Sequence, residues 1–150
     1  MSGETKTMEM YFCPLYSGSS GNSLYCQYGS TRLLIDAGKP GRRITDALAQ
    51  IGVAPESLSG VLVTHEHSDH ILGVGVLARR YGLPVYATRG TWLGMEEKIG
   101  PVSSELRREI VPGRDIWYID WRKRITAASL CRCFYQGNDP VCKTYRIGTN

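Results

Sequence analysis

The sequence predicts an α/β layer fold. Two observations carry the expectation. Short apolar runs of strand type alternate with segments of helical period from residue 31 to residue 100, and all three histidines of the chain stand in one loop, THEHSDH, residues 64–70, between such a strand and such a helix. Alternation of this kind builds a sheet with helices packed on it.

The bulk numbers narrow the class. The 150 residues match one ordinary domain, and 42% hydrophobic with 21% charged residues is the balance of a soluble globular chain. No apolar run reaches the roughly 18 residues of a transmembrane helix. The start, MSGETKTMEMYF, lacks the basic and apolar stretches of a secretory signal, so a cytoplasmic chain is expected. Cys13, Cys26, Cys131, Cys133 and Cys142 make an odd count without a CxxC, which argues against a disulfide framework and for ordinary thiols in a reducing compartment, although Cys131-x-Cys133 could hold a soft metal. Net charge is +4 and uneven: residues 1–106 hold 9 Lys/Arg against 10 Asp/Glu, residues 107–150 hold 9 against 4. Such a basic segment attracts polyanions, or is simply a solvated face.

The elements follow in order. MEMYFCPLY reads as a first strand, and NSLYCQY with TRLLIDA as a hairpin turning at Gly29-Ser30. Between them SGSSGNS, residues 17–23, is either an anion-cradling loop with free backbone N–H groups or a flexible turn. Ile44, Ala47, Leu48 and Ile51 share one face of a helix over 43–51, which Gly52 stops. SGVLVT, 59–64, is a buried strand. ILGVGVLARRY, closed by Gly82, reads as one largely buried helix in which Gly73 and Gly75 permit close packing. PVYAT is a strand, and TWLGMEEKIG a helix with Thr91 as N-cap. After Pro101 come strand-like pieces, EIV, DIWYI, RITAASL and KTYRI.

The histidine loop carries the chemistry. In extended backbone, side chains alternate between faces, so His65 and His67 point the same way and can hold one cation. Asp69 and His70 follow where the chain turns into a helix, and can face a second. Imidazole and carboxylate suit zinc, with manganese or iron as substitutes.

HEHSDH resembles the HxHxDH motif of the metallo-β-lactamase superfamily, and TRLLIDAG resembles that superfamily's first motif. From residue 11 to residue 90 the chain is similar to its YycJ/WalJ-like subgroup. The resemblance implies an αββα sandwich, of which residues 1–150 hold the first half plus the opening strands of the second, a partial domain. It implies a metal-dependent hydrolase acting on DNA phosphodiesters as an exonuclease, with two Zn2+ (or Mn2+) per complete site. His65, His67, Asp69 and His70 are then metal ligands, Asp69 also the residue that holds or deprotonates water, and Asp36 the residue that orients a ligand from behind. Without the motif downstream, Asp36 reads as a turn-capping carboxylate.

The family pattern needs a further His, a bridging Asp and a last His. No histidine follows His70, and CRCFYQGNDPVCKTY keeps Asp139-Pro140-Val141 without the expected His near residue 135. A truncated, weakly active or inactive hydrolase is therefore expected. The other reading is a non-catalytic fragment or a basic module that binds nucleic acid. Half a sandwich is also expected to expose a sheet face or edge.

Overall fold

The computed structural model describes residues 8–111 and 143–147. Strands β1 (Met8–Tyr16), β2 (Ser23–Tyr28) and β3 (Thr31–Ile35) form an antiparallel meander, with a bulge between Pro14 and Tyr16. The β2–β3 turn lies at Gly29-Ser30 as expected, with Gly29 at φ 58. Strands β4 (Gly60–Leu62), β5 (Val85–Ala87) and β6 (Arg107–Glu109) continue the sheet parallel to β3. The KTYRI piece is β7 (Lys143–Ile147), antiparallel to β1, and the described residues form a seven-stranded sheet of order β6-β5-β4-β3-β2-β1-β7. DIWYI, RITAASL, Asp139, Cys131 and Cys133 lie outside the described residues.

Helices α1 (Gly41–Gln50), α2 (Ser68–Ile71), α3 (Val74–Tyr81) and α4 (Arg89–Ile99) join the parallel strands. Their apolar faces meet one face of the sheet: Ile44 and Leu48 of α1, Leu77 of α3 and Trp92 of α4 pack in one cluster with Leu34, Val61 and Val85. Ile44 and Leu48 are fully buried, which contributes roughly 1.5–3 kcal/mol each. The opposite face carries a second cluster of Met10, Phe12, Cys26, Tyr28 and Ile35. These side chains are buried, so the exposed face expected of half a sandwich is not found at these positions.

Four local expectations need correction. The single helix over 71–81 is two, because its backbone ladder is diverted: Asp69 O accepts from Asn22 N, and Gly73 N donates to Ala37 O instead. Leu72 and Val76 then point outward rather than into the core. The N-cap of α4 is Thr88, whose hydroxyl accepts from Thr91 N, so Thr91 sits in the first turn. The edge strand is Arg107–Glu109 rather than EIV, two residues earlier. And Cys13 is disulfide-bonded, while Cys26 is buried; an odd count excludes complete pairing but not a single bridge.

Candidate metal centre

The histidine loop leaves the carboxyl end of β4, beside the carboxyl end of β3, which is where open parallel sheets present their sites. Four segments meet there, and their backbones lock them. Asp36 N donates to Leu62 O, Ala37 N to His70 O, Asn22 N to Asp69 O and Gly38 N to Asn22 O, all at 2.8–2.9 Å. Gly38 is required by this crossing, since a Cβ there would stand 1.7 Å from Asp69 O and 2.6 Å from Asn22 N.

Asp36 is the anchor of the side chains. It ends β3 in the left-handed region at φ 60, a conformation aspartate tolerates better than most residues, and Ser23 Oγ donates to its carbonyl at 2.8 Å. Its carboxylate is buried and accepts three bonds: Thr64 N to Oδ1 at 2.7 Å, Thr64 Oγ1 to Oδ2 at 2.7 Å, and His70 Nδ1 to Oδ2 at 2.8 Å.

These bonds decide where protons sit on two histidines. A carboxylate only accepts, so a proton of His70 sits on Nδ1, and in the neutral ring the lone pair is left on Nε2. The single Thr64 hydroxyl proton goes to Asp36, so Thr64 Oγ1 must accept from His65 Nδ1, 2.9 Å away, and His65 Nε2 is also bare. Asp36 thus sets one tautomer directly and the other through Thr64. Bare Nε2 atoms are what a divalent cation needs from imidazole.

The structure brings the expected residues together. The His65 ring centroid lies 4.0 Å from that of His70 and 4.6 Å from that of His67. Asp69 Oδ2 is 3.5 Å from His70 Nε2. His67 is exposed, while His65, Asp69 and His70 are half-buried. Among the described residues no three His, Cys, Asp or Glu side chains are drawn tightly enough to hold an ion as they stand. The donor types and two lone pairs fit a cation, but the set is gathered rather than closed.

Two contributors were not legible in the sequence. Thr64 looked like the last residue of a strand. Asn22 looked like part of a turn, yet its side-chain amide donates to Asp69 Oδ2 at 3.2 Å and to Gly18 O at 2.9 Å, and lies 3.4 Å from His70 Nε2. The 17–23 loop is therefore tied to the centre at Asn22 rather than free. The only hint was an amide residue closing a glycine-serine run. From the other side, α4 supports the loop: Gly94 leaves room for the Glu66 side chain, and Lys98 Nζ reaches Glu66 O at 3.4 Å.

Comparison with known proteins adds four findings. Residues 16–123 match the model of the metallo-beta-lactamase superfamily. The chain is 50% identical over 102 residues to exodeoxyribonuclease WalJ of Streptococcus pneumoniae strain D39, covering 67% of this chain and 38% of that protein. It is 48% identical over 98 residues to exodeoxyribonuclease YycJ of Bacillus anthracis, so the chain spans only 37% of that relative's length. Among solved structures, a B3 metallo-beta-lactamase with an active-site glutamic acid shares the fold at TM-score 0.56 and 24% identity, over 74% of this chain and 46% of the other.

Proposed function

The chain belongs to the metallo-beta-lactamase superfamily, and from that premise we propose that it is part of a metal-dependent hydrolase that cleaves DNA phosphodiesters in the manner of an exonuclease. The observation that carries the proposal is the pair of bare Nε2 atoms, on His65 and His70, that Asp36 and Thr64 hold beside Asp69 and His67. The DNA substrate rests on the exodeoxyribonuclease relatives. A cytoplasmic location, where such a substrate is met, belongs to the same proposal. Among the described residues no helix is long and apolar enough to cross a membrane.

In this reading His65 and His67 hold one ion, and Asp69 and His70 the second, with zinc favoured and manganese a substitute. Bound there, such ions polarise a phosphoryl oxygen and supply a hydroxide near neutral pH. The protein's own part is positional. Asp36 holds His70 directly, and His65 through Thr64, by their Nδ1 atoms so that both Nε2 atoms face away from it, and Asn22 steadies the Asp69 carboxylate. Asp69, with its other oxygen free of that contact, is the group that takes a proton from water.

Residues 1–150 hold all their histidines at 65–70, so we propose a partial domain with part of a ligand set, and weak or no turnover from this chain alone. The test has two arms. Zinc retained after dialysis is measured in the wild type and in His67→Ala, where a large loss is expected because a site with few ligands cannot spare one. Cleavage of end-labelled DNA with added zinc or manganese is then compared between this chain and one completed with the C-terminal part of a 50% identical relative. Equal metal in both proteins would remove the loop from the site. Equal cleavage by both chains would refute the incomplete ligand set.

A further inference from the structure

Residues 8–111 carry ten Lys/Arg and ten Asp/Glu, so this part of the chain is neutral, but its charge is not evenly spread. Lys39, Arg42 and Arg43 stand between Asp36 and Asp46 with no acid among them. Asp36 is buried and bonded to Thr64 and His70. Asp46 is exposed and one helical turn from both arginines, yet among the described residues none of the three cations forms an ion pair. Arg42 and Arg43 are exposed.

These cations are not loose decoration of a helix. Lys39 Nζ donates to Ser20 Oγ at 3.0 Å and lies 5.5 Å above the Tyr16 ring. The Tyr16 hydroxyl in turn donates to Arg43 O at 3.0 Å. The exposed loop Ser17–Ser20, Lys39 and the start of α1 are thereby joined into one surface. That surface borders the histidine loop directly, since Gly38, next to Lys39, is in backbone contact with Asp69 and Asn22.

We propose that this surface is the track for the backbone phosphates of a single DNA strand whose reacting phosphodiester lies at His65–His70. The inference rests on the phosphodiester reading and deepens it. Three uncompensated cations release counterions when they meet a polyanion, and the Ser17, Ser19 and Ser20 hydroxyls offer donors to phosphate oxygens. Such contacts position a strand without reading its sequence, as an exonuclease requires. The basic charge that the sequence displays most openly, in residues 107–150, is a different segment.

The experiment is fluorescence anisotropy of a short fluorescein-labelled oligothymidylate, titrated over a series of KCl concentrations in EDTA. Metal binding then plays no part. For single strands, log affinity falls with log salt by about 0.7 per phosphate neutralised. Lys39→Ala/Arg42→Ala/Arg43→Ala is therefore expected to lower the slope by about 2 units and to weaken binding about tenfold or more at low salt. Arg122→Ala/Lys123→Ala/Arg124→Ala removes the same charge from the 107–150 segment and is expected to leave most of the slope intact. Circular dichroism checks that each variant is folded. A wild-type slope in the first triple variant, equal losses in both, or no oligonucleotide binding by wild type would each overturn the track. Failure of the metal reading would show separately, as unchanged zinc content in His67→Ala.

Discussion

Replacing Asp36 by Asn tests whether one carboxylate governs two histidines. The substitution is nearly isosteric, and asparagine accepts the left-handed backbone at φ 60 as readily as aspartate, so no strain is added. The amide oxygen can still take the Thr64 N–H. The amide nitrogen then faces Thr64 Oγ1 and His70 Nδ1, which are 2.7 and 2.8 Å from the carboxylate oxygen it replaces. His70 Nδ1 must become the acceptor, so its proton moves to Nε2. Thr64, no longer donating to residue 36, donates to His65 Nδ1 at 2.9 Å, and the His65 proton moves to Nε2 as well. Both lone pairs meant for a cation are lost. Loss of one such supporting partner usually costs 10–100-fold in metal affinity, about 1.4–2.8 kcal/mol. With two ligands affected, the upper end is expected. Zinc competition against a chromophoric chelator measures the affinity. 15N NMR of the histidine rings reads the tautomers directly and needs no metal. A variant that binds zinc within about twofold of wild type, with His65 and His70 still protonated on Nδ1, would refute the relay.

Three further outcomes are expected. Gly38→Ala forces a Cβ to 1.7 Å from Asp69 O, a backbone atom that cannot swing aside, so thermal denaturation should show a loss above about 3 kcal/mol or failure to fold. Asn22→Ala removes the donor at 3.2 Å from Asp69 Oδ2, and zinc affinity should fall about tenfold with little change in circular dichroism. Burial raises the Tyr25 pKa above its ordinary 10.0, so the unfolded chain loses that proton first, and the stability this contributes, intact below pH 10.0, is lost as pH rises past it. Tyr25→Phe should flatten that alkaline decline in urea midpoints while giving up the 2.7 Å bond to Gln27 Oε1.

Local pattern by itself determined the element types and their order from β1 to α4, apart from the division of one helix into α2 and α3. Ile44 and Leu48 mark a helix face, and Gly52 and Gly82 mark stops, through contacts and dihedrals confined to neighbouring residues. It also determined that His65, His67, Asp69 and His70 stand together, because their spacing of one to five residues leaves them little freedom to part. Only the tertiary structure decided what those side chains can do. The bonds that set the His65 and His70 tautomers run from Asp36, 28 residues from Thr64 and 34 from His70, and the donor that steadies Asp69 comes from Asn22, 47 residues away. The same long-range bonds broke the helix at Leu72-Gly73, where periodicity had favoured continuity: Asn22 and Ala37 took the backbone partners that Asp69 and Gly73 would otherwise have shared. Side-chain spacing within a segment cannot reveal a hydrogen bond whose other half is supplied by a distant strand end. Such a bond arises only when parallel pairing of β3 with β4 sets their carboxyl ends side by side.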